Sequence, residues 1–168
     1  MLGDLQIYDE GAFGYPGDVE FPVASGTTAN KINAGEPVLK ALGGYVVSAL
    51  ATNSPTVATD YLAGVAATTS TDTVAAAGTV KVTKLVPGMS WLISPKVAAT
   101  WNTQSAYDAL VGSRVLLDLT GTAAAKTATY TILAADGSTY GCVILPLDIL
   151  KYPGKVRFAF RNGCNYLA

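Results

Sequence analysis

The chain has 168 residues, 11 Lys and Arg against 12 Asp and Glu, a net charge of −1 and no histidine. Without histidine, Ser-His-Asp and Cys-His catalysis and His-ligated zinc or iron sites are excluded. Charged residues make up 14% of the chain, and the near-neutral balance lacks the basic footprint that a nucleic-acid binder shows.

The length predicts one domain, large enough to fold without a disulfide or metal. No apolar run is long enough for a transmembrane helix, and the first residues lack the basic and apolar regions of a signal peptide. No membrane or nucleic-acid partner is therefore expected. Cys142 and Cys164 form no CxxC and are too few for a structural zinc. They are expected as reduced, packed thiols, with a Cys142–Cys164 bridge as the alternative.

Residues 1–30 stand apart. They hold five acids (Asp4, Asp9, Glu10, Asp18, Glu20), no base, and a set of large apolar residues including Leu5, Ile7, Tyr8, Phe13, Tyr15 and Phe21. Gly11, Gly14, Pro16, Gly17, Pro22 and Gly26 interrupt any period, which predicts neither a regular helix nor a long strand. The aromatic content is too high for a typical disordered tail. The expectation is an extended arm that orders by lying either on its own domain or on a neighbouring subunit or partner.

From Lys31 the pattern is β. Asn33-Ala34-Gly35-Glu36 reads as a turn before a short strand, and Pro37 places that strand at a sheet edge or at its own first residue. Strands are predicted over Tyr45–Leu50 and Tyr61–Ala66, the second with Gly64 where two backbones approach closely. Thr68–Thr73 reads as a loop. Gly78–Leu85 alternates, with Val80 and Val82 opposed to Lys81 and Thr83. Pro87-Gly88 is a turn, and Trp91–Ile93 is a strand closed by Pro95. One helix is predicted over Thr103–Val111, with Asn102 or Thr103 as N-cap and Gly112 at its C-terminal end. Strands follow over Arg114–Thr120, Ala128–Leu133, Cys142–Leu145 and Lys155–Arg161, with Asp136-Gly137 and Asn162-Gly163 as turns. Short strands at this spacing indicate an all-β barrel or sandwich.

Residues 151–168 carry four bases and no acid, the reverse of residues 1–30. Lys155, Arg157 and Arg161 are thus candidate complements for the acidic arm. They would set partner and register more than stability, because exposed ion pairs contribute only about 0–1 kcal/mol.

Reactive constellations are scarce. Asp9-Glu10 and Asp18-x-Glu20 are the close carboxylate pairs, and both lie in the arm rather than on a rigid scaffold. The chain has no nucleotide-binding loop, no SxxK spacing and no calcium-loop spacing. Trp91 and Trp101 could stack a sugar, but core tryptophans are the commoner arrangement. No enzyme activity, cofactor or metal is expected.

Three short segments carry a resemblance: Ile32–Val38 (INAGEPV), Tyr61–Ser70 (YLAGVAATTS) and Gly78–Val82 (GTVKV), followed by Pro87-Gly88-Met89. Together they resemble the small capsid decoration, or cement, proteins of tailed bacteriophages over roughly residues 30–95. The resemblance implies a compact β-barrel and a structural virion protein on the outer surface of the assembled head, made in the host cytoplasm. It would clamp major capsid subunits and associate with itself as a trimer or dimer. It also implies an extended N-terminal arm lying across neighbours. The aliphatic and aromatic arm residues would then bury apolar area on capsid or sister subunits, while Asp9, Glu10, Asp18 and Glu20 set orientation. Removing residues 1–20 is expected to abolish head binding and leave the domain folded. The alternative is another virion module: a tail, head-fibre or receptor- or glycan-binding protein, for which Trp91, Trp101 and Tyr107 would form an exposed patch.

The sequence thus predicts an all-β fold, a small β-barrel or sandwich with one short α-helix and an extended N-terminal arm. Its organisation is an arm over residues 1–30 and a single β-rich domain over 31–168. Within that domain, 31–97 form the barrel core and 98–168 the helix and further strands.

Overall fold

A computed structural model describes residues 5–11, 14–25, 32–40, 44–48, 62–86, 88–95, 101–120, 129–133, 137–138 and 140–161. Within them run β1 (Gln6–Asp9), β2 (Asp18–Val23), β3 (Pro37–Lys40), β4 (Val46–Ser48), β5 (Leu62–Ala66), β6 (Gly78–Thr83) and β7 (Ser90–Ile93). A single helix, α1 (Gln104–Asp108), precedes β8 (Arg114–Thr120), β9 (Thr129–Leu133), β10 (Cys142–Ile144) and β11 (Val156–Phe160). The strands form two antiparallel sheets in a sandwich-like arrangement. One has six strands in the order β1-β7-β11-β10-β8-β9, and the other five in the order β2-β6-β5-β3-β4.

The predicted all-β class holds, and of barrel or sandwich it is the open form: neither sheet closes into a barrel. Both nevertheless curl. The edge strands β2 and β4 of the smaller sheet lie within contact distance without pairing. From β3, next to β4, the Lys40 ammonium sits 6.0 Å from the ring centroid of Phe21 in β2. In the larger sheet a lone parallel bridge, Pro95 to Ile132, links β9 to the end of β7, and Ile132 N donates to Ser94 O at 3.1 Å.

Each curl encloses apolar side chains. The smaller sheet wraps Val23, Ile32, Val38, Val46, Ala63, Ala66, Val80 and Val82. The larger core includes Trp91, Ile93, Val115, Leu117, Ile132, Cys142, Ile144, Val156, Phe158 and Phe160, with Trp101 and Tyr107 from the helical segment. Leu62 and Val65 of β5 also belong to this larger core, so all five β5 residues are buried. Burying one such aliphatic or aromatic side chain contributes about 1.5–3 kcal/mol. Cys142 is a buried thiol there, whereas Cys164 lies outside the described residues.

Gly64 sits at the irregularity where the β3–β5 register shifts, with φ 153°. A Cβ there would fall 2.1 Å from Thr83 O, which is the close approach expected from the sequence. The helix is shorter than predicted. Thr103 caps it, its hydroxyl accepting from Ala106 N at 3.2 Å, and the helix ends at Asp108. Its loss after one turn is unsurprising for five residues, since isolated short helices are marginal and depend on packing. Tyr107 supplies that packing, fully buried.

Residues 6–9 and 18–23 of the expected arm form the outermost strands of the two sheets. Gln6 and Ile7 pair with Leu92 and Trp91, and Asp18–Val23 pairs residue by residue with Thr83–Gly78. Of the two dispositions left open for the arm, these segments take the one on their own chain. Pro22 is accommodated because β2 is an edge, where a missing N–H can face outward.

Candidate binding surface

Antiparallel pairing brings the acidic N-terminal strand to the basic strand β11, with β7 between them. Arg157 is the hub. Its guanidinium lies 4.3 Å from the Tyr8 ring centroid and 3.7 Å from Asp9 Oδ2. Its Nε donates to Ser90 Oγ at 3.0 Å and its Nη1 to Pro146 O at 3.3 Å. Tyr8 meets Tyr152 edge-on at 5.3 Å. Because the Asp9 side chain is 52% exposed, the ion pair fixes geometry more than it stabilises. The charge complementarity seen in the sequence is thus realised within one chain.

Beneath this hub, Tyr107 Oη donates to Leu145 O at 2.8 Å and accepts from Arg157 N at 3.0 Å. Burial pushes its phenol up to about 12, since the charged form would lose its hydration.

The segment Leu145–Lys155, between β10 and β11, shapes the adjoining surface. Leu150 at its tip is 88% exposed. It stands between two open hollows. One, of about 510 Å³, is lined by Tyr8, Pro146 and Leu147, with Gln104, Asp108 and Asp148. The other, of about 390 Å³, is lined by Pro95, Trp101, Ile149 and Pro153. Gln104 is held by three bonds: Nε2 donates to Asp108 Oδ1 (2.7 Å) and Leu147 O (3.0 Å), and Oε1 accepts from Ile149 N (3.1 Å). Asp148 Oδ1 accepts from Leu150 N at 3.0 Å, and Lys151 lies 3.9 Å from its other oxygen. The surface therefore offers apolar contact with an acidic rim.

The remaining sequence-selected residues are dispersed. Leu5 is buried in the larger core, Ile7 packs against it, and Phe21 packs on the smaller one. Removing residues 1–20 would thus take an edge strand and a core side chain with it. Tyr15, exposed at 47%, donates to Asp18 Oδ1 at 2.5 Å, and Thr83 Oγ1 donates to the same oxygen at 2.7 Å. The bond from Tyr15, then that from Thr83, holds the Asp18 carboxyl below its ordinary value. The Asp18 carboxylate in turn raises the Tyr15 phenol. Glu10 and Glu20 are exposed, Glu20 directly opposite Lys81. Lys155 Nζ reaches Ser94 Oγ at 3.4 Å, and Arg161 Nη1 donates to Ser138 O (3.0 Å) and Tyr140 O (2.7 Å), away from Asp9. Phe13 lies outside the described residues. Trp91, Trp101 and Tyr107, the patch expected of a glycan binder, are all buried. The indole N–H groups of both tryptophans have no acceptor among the described residues.

Sequence reasoning missed two features. The first is Leu150 and its hollows. The signal was Pro146-Leu147-Asp148-Ile149-Leu150-Lys151-Tyr152-Pro153, a proline-bounded run too apolar for an ordinary connection. The second is a pair of buried acids. Glu36 is 1% exposed and accepts from Asn33 Nδ2 at 2.9 Å and Ser48 Oγ at 2.8 Å. Asp72, wholly buried, accepts from Ser70 Oγ at 2.6 Å. Glu36 thereby ties its own turn to β4, and Ser70 holds Asp72 from two residues before it.

The three segments quoted for the resemblance meet in space. Gly35 N donates to Ala66 O (2.7 Å), Ala66 N to Glu36 O (2.8 Å), Ala67 N to Lys81 O (2.8 Å) and Ser70 N to Ile32 O (2.8 Å). Comparison with protein-family models, with curated proteins and with solved structures gives no match.

Proposed function

We propose that this chain is a structural virion protein that binds the outer surface of an assembled phage head and clamps major capsid subunits. The observation that carries the reading is the junction of the INAGEPV, YLAGVAATTS and GTVKV segments. Short motifs scattered over some fifty residues gain weight as a family signature when they are hydrogen-bonded into one unit. A chain without histidine, with few charges and with strands at both sheet edges is also suited to lattice contact rather than to turnover.

The arm's share in that contact is narrower than its composition suggests. Leu5, Ile7 and Phe21 are engaged in the fold, which leaves Tyr15, Glu10 and Glu20 facing outward for the major capsid protein. The test mixes purified protein with undecorated heads and reads occupancy by electron microscopy and co-sedimentation. Stoichiometric, symmetric density on the outer surface is the expected result. Heads that stay bare at high protein concentration would refute the reading.

A further inference from the structure

We propose that the connection between β5 and β6 is a preformed finger whose uncharged tip, residues 74–77, seats in an apolar recess of the major capsid protein. The inference rests on the head-binding reading and locates the contact on this chain. Hairpin loops usually run to about 2–5 residues, and this one spans residues 67–77. Its two legs are zipped together rather than left to solvent. Thr71 N donates to Thr79 O at 2.9 Å, and Thr79 N donates back to Thr71 Oγ1 at 2.9 Å. Nearer the tip, Thr73 N donates to Ala76 O at 2.9 Å while its hydroxyl accepts from Ala76 N at 3.0 Å. Gly78 lies so close to the backbone of Thr71 and Asp72 that no Cβ would fit. At the base, Ser70 N donates to Ile32 O at 2.8 Å and Lys81 N to Thr68 Oγ1 at 3.2 Å.

The tip is apolar where exposed turns are ordinarily polar. Val74 is 63% exposed, and Ala75, Ala76 and Ala77 are exposed with it. The one charge between Thr68 and Thr79 is Asp72, which is wholly buried and accepts from Ser70 Oγ. A tip held in one conformation loses little entropy on docking, and side chains this small bring its backbone close to a narrow recess. A charged partner surface would be stripped of water against Val74 and the alanines with nothing there to pair it, so the complement is an uncharged recess. The finger's mount selects the partner. Ile32, Ser70 and Lys81, which hold its base, belong to the INAGEPV, YLAGVAATTS and GTVKV segments, the three that resemble head-binding proteins. The arm's apolar residues Leu5, Ile7 and Phe21 are meanwhile engaged in the fold.

The test measures binding of the full chain and its variants to undecorated heads, by co-sedimentation over a concentration series. Val74→Asp is expected to weaken binding by at least about tenfold. Its melting temperature should stay at the wild-type value, because the side chain faces solvent. Thr73→Val keeps the side chain's shape but removes the acceptor for Ala76 N, and is expected to weaken binding about threefold to tenfold by loosening the tip. Leu150→Asp, at an exposed leucine on the β10–β11 connection, is the control and is expected to bind within about twofold of wild type. Heads decorated equally by wild type and Val74→Asp overturn the inference and leave the head-binding reading intact. So does a Leu150→Asp variant that loses binding as far as Val74→Asp does. Heads left bare by wild type overturn both.

Discussion

Replacing Glu36 with alanine tests the clasp that joins the turn before β3 to the neighbouring strand. Its carboxylate accepts two short hydrogen bonds, from Asn33 in the turn and from Ser48 in β4, at a site 1% exposed. Hydrogen bonds to a charged group contribute about 1.5–3 kcal/mol each, offset in part by the cost of burying the carboxylate. The net loss for Glu36→Ala is therefore about 2–4 kcal/mol. For a chain of this length, that corresponds to a fall in Tm of about 5–15 °C. Glu36→Gln keeps one acceptor and should cost roughly half as much. Calorimetry gives the Tm, and urea unfolding the free energy, with an unchanged m-value showing that compactness is retained. A Glu36→Ala protein melting within about 2 °C of wild type would refute the reasoning.

Four further outcomes are expected. Gly64→Ala forces a Cβ to within 2.1 Å of Thr83 O at a positive φ, so its urea midpoint should drop by the equivalent of about 3 kcal/mol or more; wild-type stability would contradict the packing of β5 on β6. The Tyr107 phenol titrates near 10 when unfolded and is pushed up to about 12 in the fold, so its contribution is full below pH 10 and is lost as pH rises toward 12. Tyr107→Phe should flatten that alkaline limb of the stability profile, and an unaltered limb would show the loss to arise elsewhere. Asp18, held below its ordinary value, adds stability above the usual carboxylate range that is lost as pH falls through its lowered value, and Tyr15→Phe should move its titration, followed by carboxyl NMR, back upward. Arg157→Ala removes the stack on Tyr8 and the pair with Asp9, so amide exchange along Gln6–Asp9 should quicken while that of β10 does not.

Much of the fold was legible because its signals are local. Alternation marked Val80 and Val82 in β6, turn residues bounded each strand after Lys31, and Pro37 does open β3. Thr83 shows where alternation fails: it sits on the polar side yet is buried, because Asp18 of β2 crosses over it. That neighbour is 65 residues away, and no local pattern reports it. The same cause hid β1 and β2. Their glycines and prolines read as irregular, and they become strands only because β7 and β6 offer edges to pair with. Their burial is partial, so composition alone left open whether their apolar residues cover their own domain or a neighbour. Of the binding surface, the opposed charges of arm and β11 were visible in composition. The hydrogen bonds that tie Gln104 to Leu147 and Ile149 depend on the helix meeting the β10–β11 connection some forty residues later, which composition does not encode.

The order of strands also bears on the order of assembly. Every strand of the smaller sheet comes from a continuous stretch, residues 18–83, so its valine core has all its parts once that stretch has left the ribosome. Strand β7 is different, flanked by β1 on one side and β11 on the other, the first and last of the described strands. Trp91 and Leu92 therefore lack their β11 partners until residues 156–160 are made, and the larger sheet is completed after the smaller one. A chain stalled before residue 156 would present that uncovered β7 edge to any other unfinished copy nearby.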